Sequence, residues 1–197
     1  MDRTGDPLAV LNQIYTEYVT AAAPFKAQAV CSEGCDFCCT HYGPLDVTTL
    51  EGLVIYHWML KRPKKLRRDL MKAVTRNRKR KLQGEAAVCP FLNRKGKCRI
   101  YAIRPFSCRQ LYSLERCGGQ GPVVSRQAVA LARETVSRLQ ALDESGYSGH
   151  LTYILDLLDR EDLRTLYLKG RLNPGAIHGL GRRYGLRINA SKTKTRL

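Results

Sequence analysis

A chain of 197 residues with 44% hydrophobic content is long and apolar enough to bury a core, which excludes a wholly disordered chain. No apolar run reaches the ~18 residues of a membrane span, and the opening MDRTGDPLAV has acidic, Gly and Pro residues where a secretory leader needs a basic stretch and an apolar core, so a cytoplasmic protein without membrane contact is expected. The formal charge of +17 is localised: twelve Lys/Arg against one Asp from Lys61 to Lys81, and six Lys/Arg without an acid from Arg182 to Arg196, together account for it.

The first predicted element is a helix after Asp6-Pro7, where Asp6 caps and Pro7 fits the first turn. Leu8, Leu11, Ile14, Tyr15, Tyr18 and Val19 recur at helical spacing, and Pro24 predicts an end near Ala23. A loop follows, marked by Gly34 and Gly43-Pro44. Thr48-x-x-Glu51 reads as a capping box for a helix from Leu50 to Leu60 that carries Leu53, Val54, Tyr56, His57 and Trp58, with Gly52 as a weakening residue. Pro63 separates it from a basic helix, Lys64 to Leu82, closed by Gly84. Leu66, Leu70, Met71, Ala73 and Val74 give that helix one apolar stripe for docking.

Residues 89 to 121, with Gly96, Pro105, Gly118, Gly119 and Gly121, predict irregular backbone. Ser125 then caps a helix whose apolar face is Ala128, Val129, Leu131, Ala132, Val136, Leu139 and Leu142. Shorter helices are expected over Leu151–Leu158 and Glu161–Leu168, a turn at Asn173-Pro174-Gly175, and a mobile tail INASKTKTRL. No long alternating strand pattern and no internal repeat is present. The reading is a mainly α protein: a small helical domain with irregular cysteine-rich loops organised around one or two metal sites. Residues 1–30 form an N-terminal helix, 31–121 a metal-binding region with a basic insert at 61–84, and 122–197 a helical extension with a basic tail.

The eight cysteines fall in two sets, Cys31-x3-Cys35-x2-Cys38-Cys39 and the wider series Cys89, Cys98, Cys108 and Cys117. In a reducing compartment such sets bind metal more often than they form disulfides, and the vicinal pair Cys38–Cys39 is a poor candidate for one structural disulfide. Thiolates suit zinc and iron–sulfur clusters, each taking four sulfur ligands. Eight cysteines can make two such sites, and adjacent cysteines point in different directions, so Cys38 and Cys39 can serve different metals; one site with four spare cysteines is the leaner alternative. Arg94, Lys95, Lys97, Arg99, Arg104, Arg109 and Arg116, opposed by Glu115 alone, would offset the charge of a thiolate-bound centre and lower thiol pKa values.

Those cysteines, with CPFL at Cys89–Leu92, GKCRIY at Gly96–Tyr101, RPFSCR at Arg104–Arg109 and Cys117, resemble the CxxCxxCC family of zinc- or iron-chelating domains, the YkgJ-like cysteine-cluster proteins. The match runs over roughly residues 31–117, with three residues instead of two between Cys31 and Cys35. The resemblance implies metal chelation and fixes no reaction. Pro90 and Pro105 can stiffen the backbone near ligands, Tyr101 and Phe106 can shield a centre from water, and Arg104 and Arg109 can bond sulfur or pair with an acid. His41 is a weak ligand candidate; His57, His150 and His178 are read as structural.

Cys89-Pro90 echoes bacterial ferredoxin ligand runs, and only part of the first set resembles zinc hooks, so an iron–sulfur centre of 4Fe–4S type is expected, with zinc as the alternative. Cys31-x3-Cys35-x2-Cys38 also resembles the radical S-adenosylmethionine motif, but the repeated strands of that fold are lacking. Three functions follow: a metal-chelating protein in electron transfer or an accessory role; a cluster-dependent protein-modifying enzyme similar to flagellin lysine methylases, although those are longer; and a nucleic-acid-binding protein with structural zinc, supported by the basic segment 64–81, which predicts weak, salt-sensitive binding. The residues point to no particular protein partner and to no catalytic base, nucleophile pair or phosphate loop.

Overall fold

The structure, a computed structural model, describes residues 6–32, 34–41, 45–118, 121–172 and 178–189. The predicted turns at Gly43-Pro44 and Asn173–Gly175 and the tail beyond Asn189 lie outside these residues. In chain order the elements are α1 (Pro7–Lys26), α2 (Phe37–Thr40), β1 (Asp46–Thr48), α3 (Thr49–Leu60), α4 (Lys64–Leu82), a 3-10 turn (Tyr101–Ile103), α5 (Phe106–Arg109), α6 (Arg126–Leu142), β2 (Tyr147–His150), α7 (Leu151–Asp159), α8 (Glu161–Leu168), α9 (His178–Tyr184) and β3 (Arg187–Ile188). The mainly helical reading holds.

Helix starts follow the capping chemistry of the sequence. Asp6 accepts the Leu8 amide at 3.0 Å and Ser125 the Ala128 amide at 3.2 Å. Thr48 and Glu51 form the reciprocal box, Thr48 N–H to Glu51 at 2.8 Å and Glu51 N–H to Thr48 Oγ1 at 3.2 Å. Helix α4 has the predicted bounds, and Gly84, at φ +76°, turns the chain after it. Helix α1, however, runs through Pro24 to Lys26. Proline removes the amide that would bond to Thr20, but Thr20 faces solvent, where water can take its carbonyl, and the last turn is anchored by Lys26 Nζ donating to the Arg109 carbonyl at 2.8 Å.

Three short strands form a small antiparallel sheet in the order β1-β2-β3, with Val47 opposite Gly149 and Ser148 opposite Arg187. At two to four residues each, they are too short to show alternation in sequence. Thr49 Oγ1 braces their start, accepting the Tyr147 amide at 2.8 Å.

One core cluster is centred on α7, whose Leu151, Ile154, Leu155, Leu157 and Leu158 are all fully buried between α3, α4 and the sheet. Each such side chain contributes about 1.5–3 kcal/mol. Leu70 and Val74 of α4 join it as the stripe predicted, together with the unforeseen Asn77, whose Nδ2 donates to the Val88 carbonyl at 2.8 Å. The second cluster packs α1 on α6 around Leu11, Ile14, Tyr15, Tyr18, Phe106, Ala132 and Leu139. Leu8, Val19 and Val129, assigned to apolar faces by periodicity, are exposed.

Candidate metal centre

The first cysteine set occupies the segment entering α2 and α2 itself. Val30 N–H donates to the Ser113 carbonyl at 2.9 Å, which lays this segment beside the loop leading to Cys117. Ser113 holds that loop in turn, its Oγ accepting Val123 N–H at 2.9 Å. Gly34, at φ +91°, allows the turn between Cys31 and Cys35. In α2, Cys39 N–H donates to the Asp36 carbonyl at 2.8 Å, and successive side chains diverge by about 100°. Cys38 and Cys39 therefore face different sides.

The second set begins in a hairpin-like loop. Asn93 Oδ1 accepts the amides of Lys95 and Lys97 at 2.8 and 3.0 Å, and Gly96 takes φ +70° at the tip. Leu92 bridges Cys98, Arg99 N–H donates to the Phe91 carbonyl at 2.9 Å, and buried Phe91 and Ile100 anchor both arms in the α7 core. Cys89 N–H donates to the Cys39 carbonyl at 2.8 Å, docking the loop on α2. The same local geometry occurs on both arms: the Phe91 amide donates to the Cys89 sulfur and the Ile100 amide to the Cys98 sulfur. Amides so placed favour thiolate, as expected of metal-bound cysteine. Cys108 sits on α5, its amide donating to the Pro105 carbonyl at 3.0 Å.

Cys89 donates its S–H to Cys39, and this bond lowers Cys39 to about 7 while holding the Cys89 thiol well above the usual range. Burial pushes Cys38 up to about 11, with Cys117, Cys31 and Cys35 adding to it. Burial likewise raises Cys108 to about 12, with Cys39 and Cys98 adding and Arg104 opposing. Cys98 is raised by burial, against the Ile100 amide and Arg104.

All eight cysteines are free thiols. Among the described residues, no group of three or more His, Cys, Asp or Glu side chains is gathered closely enough to clasp a metal ion. The thiols are neighbours short of a coordination sphere. The donor set itself fits a thiophilic metal. The Nε of Arg104 is buried and finds no acceptor among the described residues, on a side chain whose charge bears on Cys98 and Cys108. An anionic thiolate centre would answer that cation.

The other motif residues have different places. Tyr101 does not shield the thiols: it is 64% exposed, with the Arg104 guanidinium 4.0 Å above its ring. Phe106 packs edge-on to Tyr18 at 4.7 Å in the second core cluster. Arg109 turns elsewhere: its Nε donates to the Arg104 carbonyl at 2.8 Å, and its guanidinium lies over Tyr15. His41 is exposed and stacked on Phe37, and His57 is exposed. His150 contacts Thr152 at 2.9 Å, and the side chain of His178 is outside the described residues. Sequence reasoning missed Glu51 as a support. Its Oε1 accepts the Phe106 amide at 2.7 Å and so holds the start of α5. It missed the two sulfur-directed amides as well, whose trace is a buried apolar residue two places after Cys89 and Cys98.

Residues 30–118 match the CxxCxxCC family model, described as "Putative zinc- or iron-chelating domain". That segment is similar to the domains of this family. It spans the whole cysteine constellation, from the strand of chain before Cys31 to the residue after Cys117. The matched segment encloses the basic helix α4 and leaves α6, α7 and the sheet partners β2 and β3 outside its bounds, although those elements complete the cores on which it rests. No curated protein and no solved structure matches the chain.

Proposed function

We propose that the matched segment chelates metal through Cys31, Cys35, Cys38, Cys39, Cys89, Cys98, Cys108 and Cys117, holding iron–sulfur, of 4Fe–4S type, or zinc, and that the protein works in the cytoplasm in electron transfer or as an accessory protein. The carrying observation is the concentration of free thiols around α2 and the 89–100 loop, with sulfur-directed amides and the unanswered Arg104 beside them. An iron–sulfur centre would supply one-electron chemistry; zinc would supply a cross-link. The chain's own part is to position the sulfurs, to favour thiolate at Cys89 and Cys98 through the Phe91 and Ile100 amides, and to balance charge with Arg104.

Anaerobic purification followed by metal and acid-labile sulfide analysis tests the reading. Brown protein with broad absorption near ~400 nm and sulfide is the expected result. Colourless, sulfide-free protein with stoichiometric zinc establishes the alternative metal, and protein that takes up neither metal refutes chelation.

One observation favours a second reading. Arg68, Lys72, Arg76 and Lys79 are exposed along α4, away from its buried Leu70, Val74 and Asn77. A cationic stripe on a docked helix suits a phosphate backbone and supports weak nucleic-acid binding through 64–81. Among the described residues no helix is long and apolar enough to cross a membrane.

A further inference from the structure

A groove of about 600 Å³, partly open to solvent, lies between α6, α5 and one face of the sheet. No cysteine lines it. Its size falls within the ~300–1,000 Å³ of small-molecule sites. One wall is apolar, with Phe106 and Leu111 on the α5 side and Val129 and Val136 on α6. Val129 is 37% exposed, so the groove is where the apolar stripe of α6 continues past the face packed on α1. Another wall is polar, formed by Thr48, Ser148 and Arg187, which are cross-strand neighbours on one face of the sheet.

Ser107 also lines the groove. It is 7% exposed, and its Oγ has no hydrogen-bond partner among the described residues. The hydroxyls of Thr40, Thr135 and Ser137 each return to the carbonyl four residues earlier; that of Ser107 does not. A buried polar atom left in this way calls for a partner from outside the fold. The charges point the same way. Asp46 and Arg187 pair at 2.8 Å, and Glu51 accepts Tyr15 Oη and the amides of Phe106 and Thr48. Arg133, the remaining charged side chain of the lining, is exposed at the rim and has no ionic partner among the described residues. We propose that the groove binds a small anionic amphiphile, an apolar carboxylate or sulfonate. Its apolar body lies along Val129 and Val136, a polar atom meets Ser107, and its charge pairs with Arg133. Apolar burial supplies the affinity and the two polar contacts the selection. The site uses none of the cysteines and stands independently of the chelation reading.

The test titrates anilinonaphthalene sulfonate into the full chain, follows its fluorescence, and adds dodecanoate or dodecanol as competitor. One probe per chain is expected, displaced more readily by the acid than by the alcohol. Val129→Trp, at an exposed position, should fill the groove and weaken binding at least ~10-fold. Arg133→Gln should weaken it up to ~5-fold and flatten its salt dependence. Ser107→Ala should weaken it ~2–10-fold without lowering the urea midpoint, because the hydroxyl makes no bond to lose. No probe binding, several weak probe sites, equal displacement by the alcohol, or binding unchanged by Val129→Trp overturns the proposal. A wild-type dimer that Val129→Trp disperses, with no displaceable probe, also overturns it and assigns the face to a second copy of the chain.

Discussion

Glu51 Oε1 accepts the backbone N–H of Phe106 at 2.7 Å, so a buried carboxylate in α3 fixes the helix that carries Cys108. The same oxygen accepts Tyr15 Oη at 2.7 Å, and Oε2 accepts the Thr48 amide at 2.8 Å. One side chain thereby joins α1, α3 and α5. Glu51→Ala would leave three donors unanswered at 3% exposure. With about 1–3 kcal/mol for each buried group left unsatisfied, a loss of roughly 3–5 kcal/mol is expected. Urea unfolding measures it, and alkylation of Cys108 should quicken in the variant. Glu51→Gln, which keeps one acceptor, should fall between. An alanine variant as stable as wild type would remove Glu51 from this role.

Gly52 was legible in the sequence only as a flaw in a helix, and the structure gives it a purpose. A Cβ there would collide with Ile154 Cγ2 and stand 3.3 Å from Leu158 Cδ1. Helix propensity alone would make Gly52→Ala favourable by about 1 kcal/mol. Overpacking, at about 1–3 kcal/mol, should win, and the variant should unfold at lower urea. Combined with Ile154→Ala, it should cost less than the two single changes added, because each relieves the other. Additive losses would show that the α3–α7 approach is not limited at this point.

Asp143 is 4% exposed and accepts the Leu50 amide at 2.9 Å and Tyr167 Oη at 2.7 Å. Burial raises its carboxyl to about 7, against those bonds. A carboxyl that binds its proton more tightly when folded favours folding most below its unfolded pKa, near 3.9, and loses that contribution as pH rises to about 7. Wild-type stability should therefore decline between pH 5 and 7.5 relative to Asp143→Asn, by up to roughly 3 kcal/mol. Urea unfolding of both proteins in the same metal state at several pH values checks this. Parallel pH profiles would contradict it.

Replacing Arg68, Lys72, Arg76 and Lys79 by Gln should weaken low-salt binding to a DNA duplex. It should also flatten the salt dependence by up to ~3 in log–log slope. Helicity and metal content should be unchanged, because these side chains are exposed and lie outside both core clusters. Equal binding by the variant would move any nucleic-acid contact elsewhere on the surface, and no binding by the wild type would leave the stripe as a solvated face.

Local signals carried the helices well. Caps at Asp6, Thr48 and Ser125 and the closing Gly84 act through neighbours in the chain, and each is where the sequence places it. Long-range relationships were not readable in this way. Phe106, next to a cysteine motif, belongs to the α1–α6 core because Tyr15 and Tyr18 arrive from about ninety residues earlier. Asn77 looked like one more polar residue on a basic helix and is buried because Val88 folds back over it. The cysteines were legible as donors, but the docking of Cys89 on the one-turn helix that carries Cys39 was not.

The sheet draws its strands from residues near 47, 148 and 187, and both cores include helices beyond residue 125. During synthesis, then, Cys89 and Cys98 emerge from the ribosome before α7, against whose core they pack. A nascent chain ending near Pro122 would have all its sulfurs and neither α6 nor α7. Contacts of such wide sequence separation form slowly. Cys89 and Cys98 pass through an interval of exposure to oxidants and stray metal that their packing in the finished protein ends, and the length of that interval is set by translation of the chain up to α7.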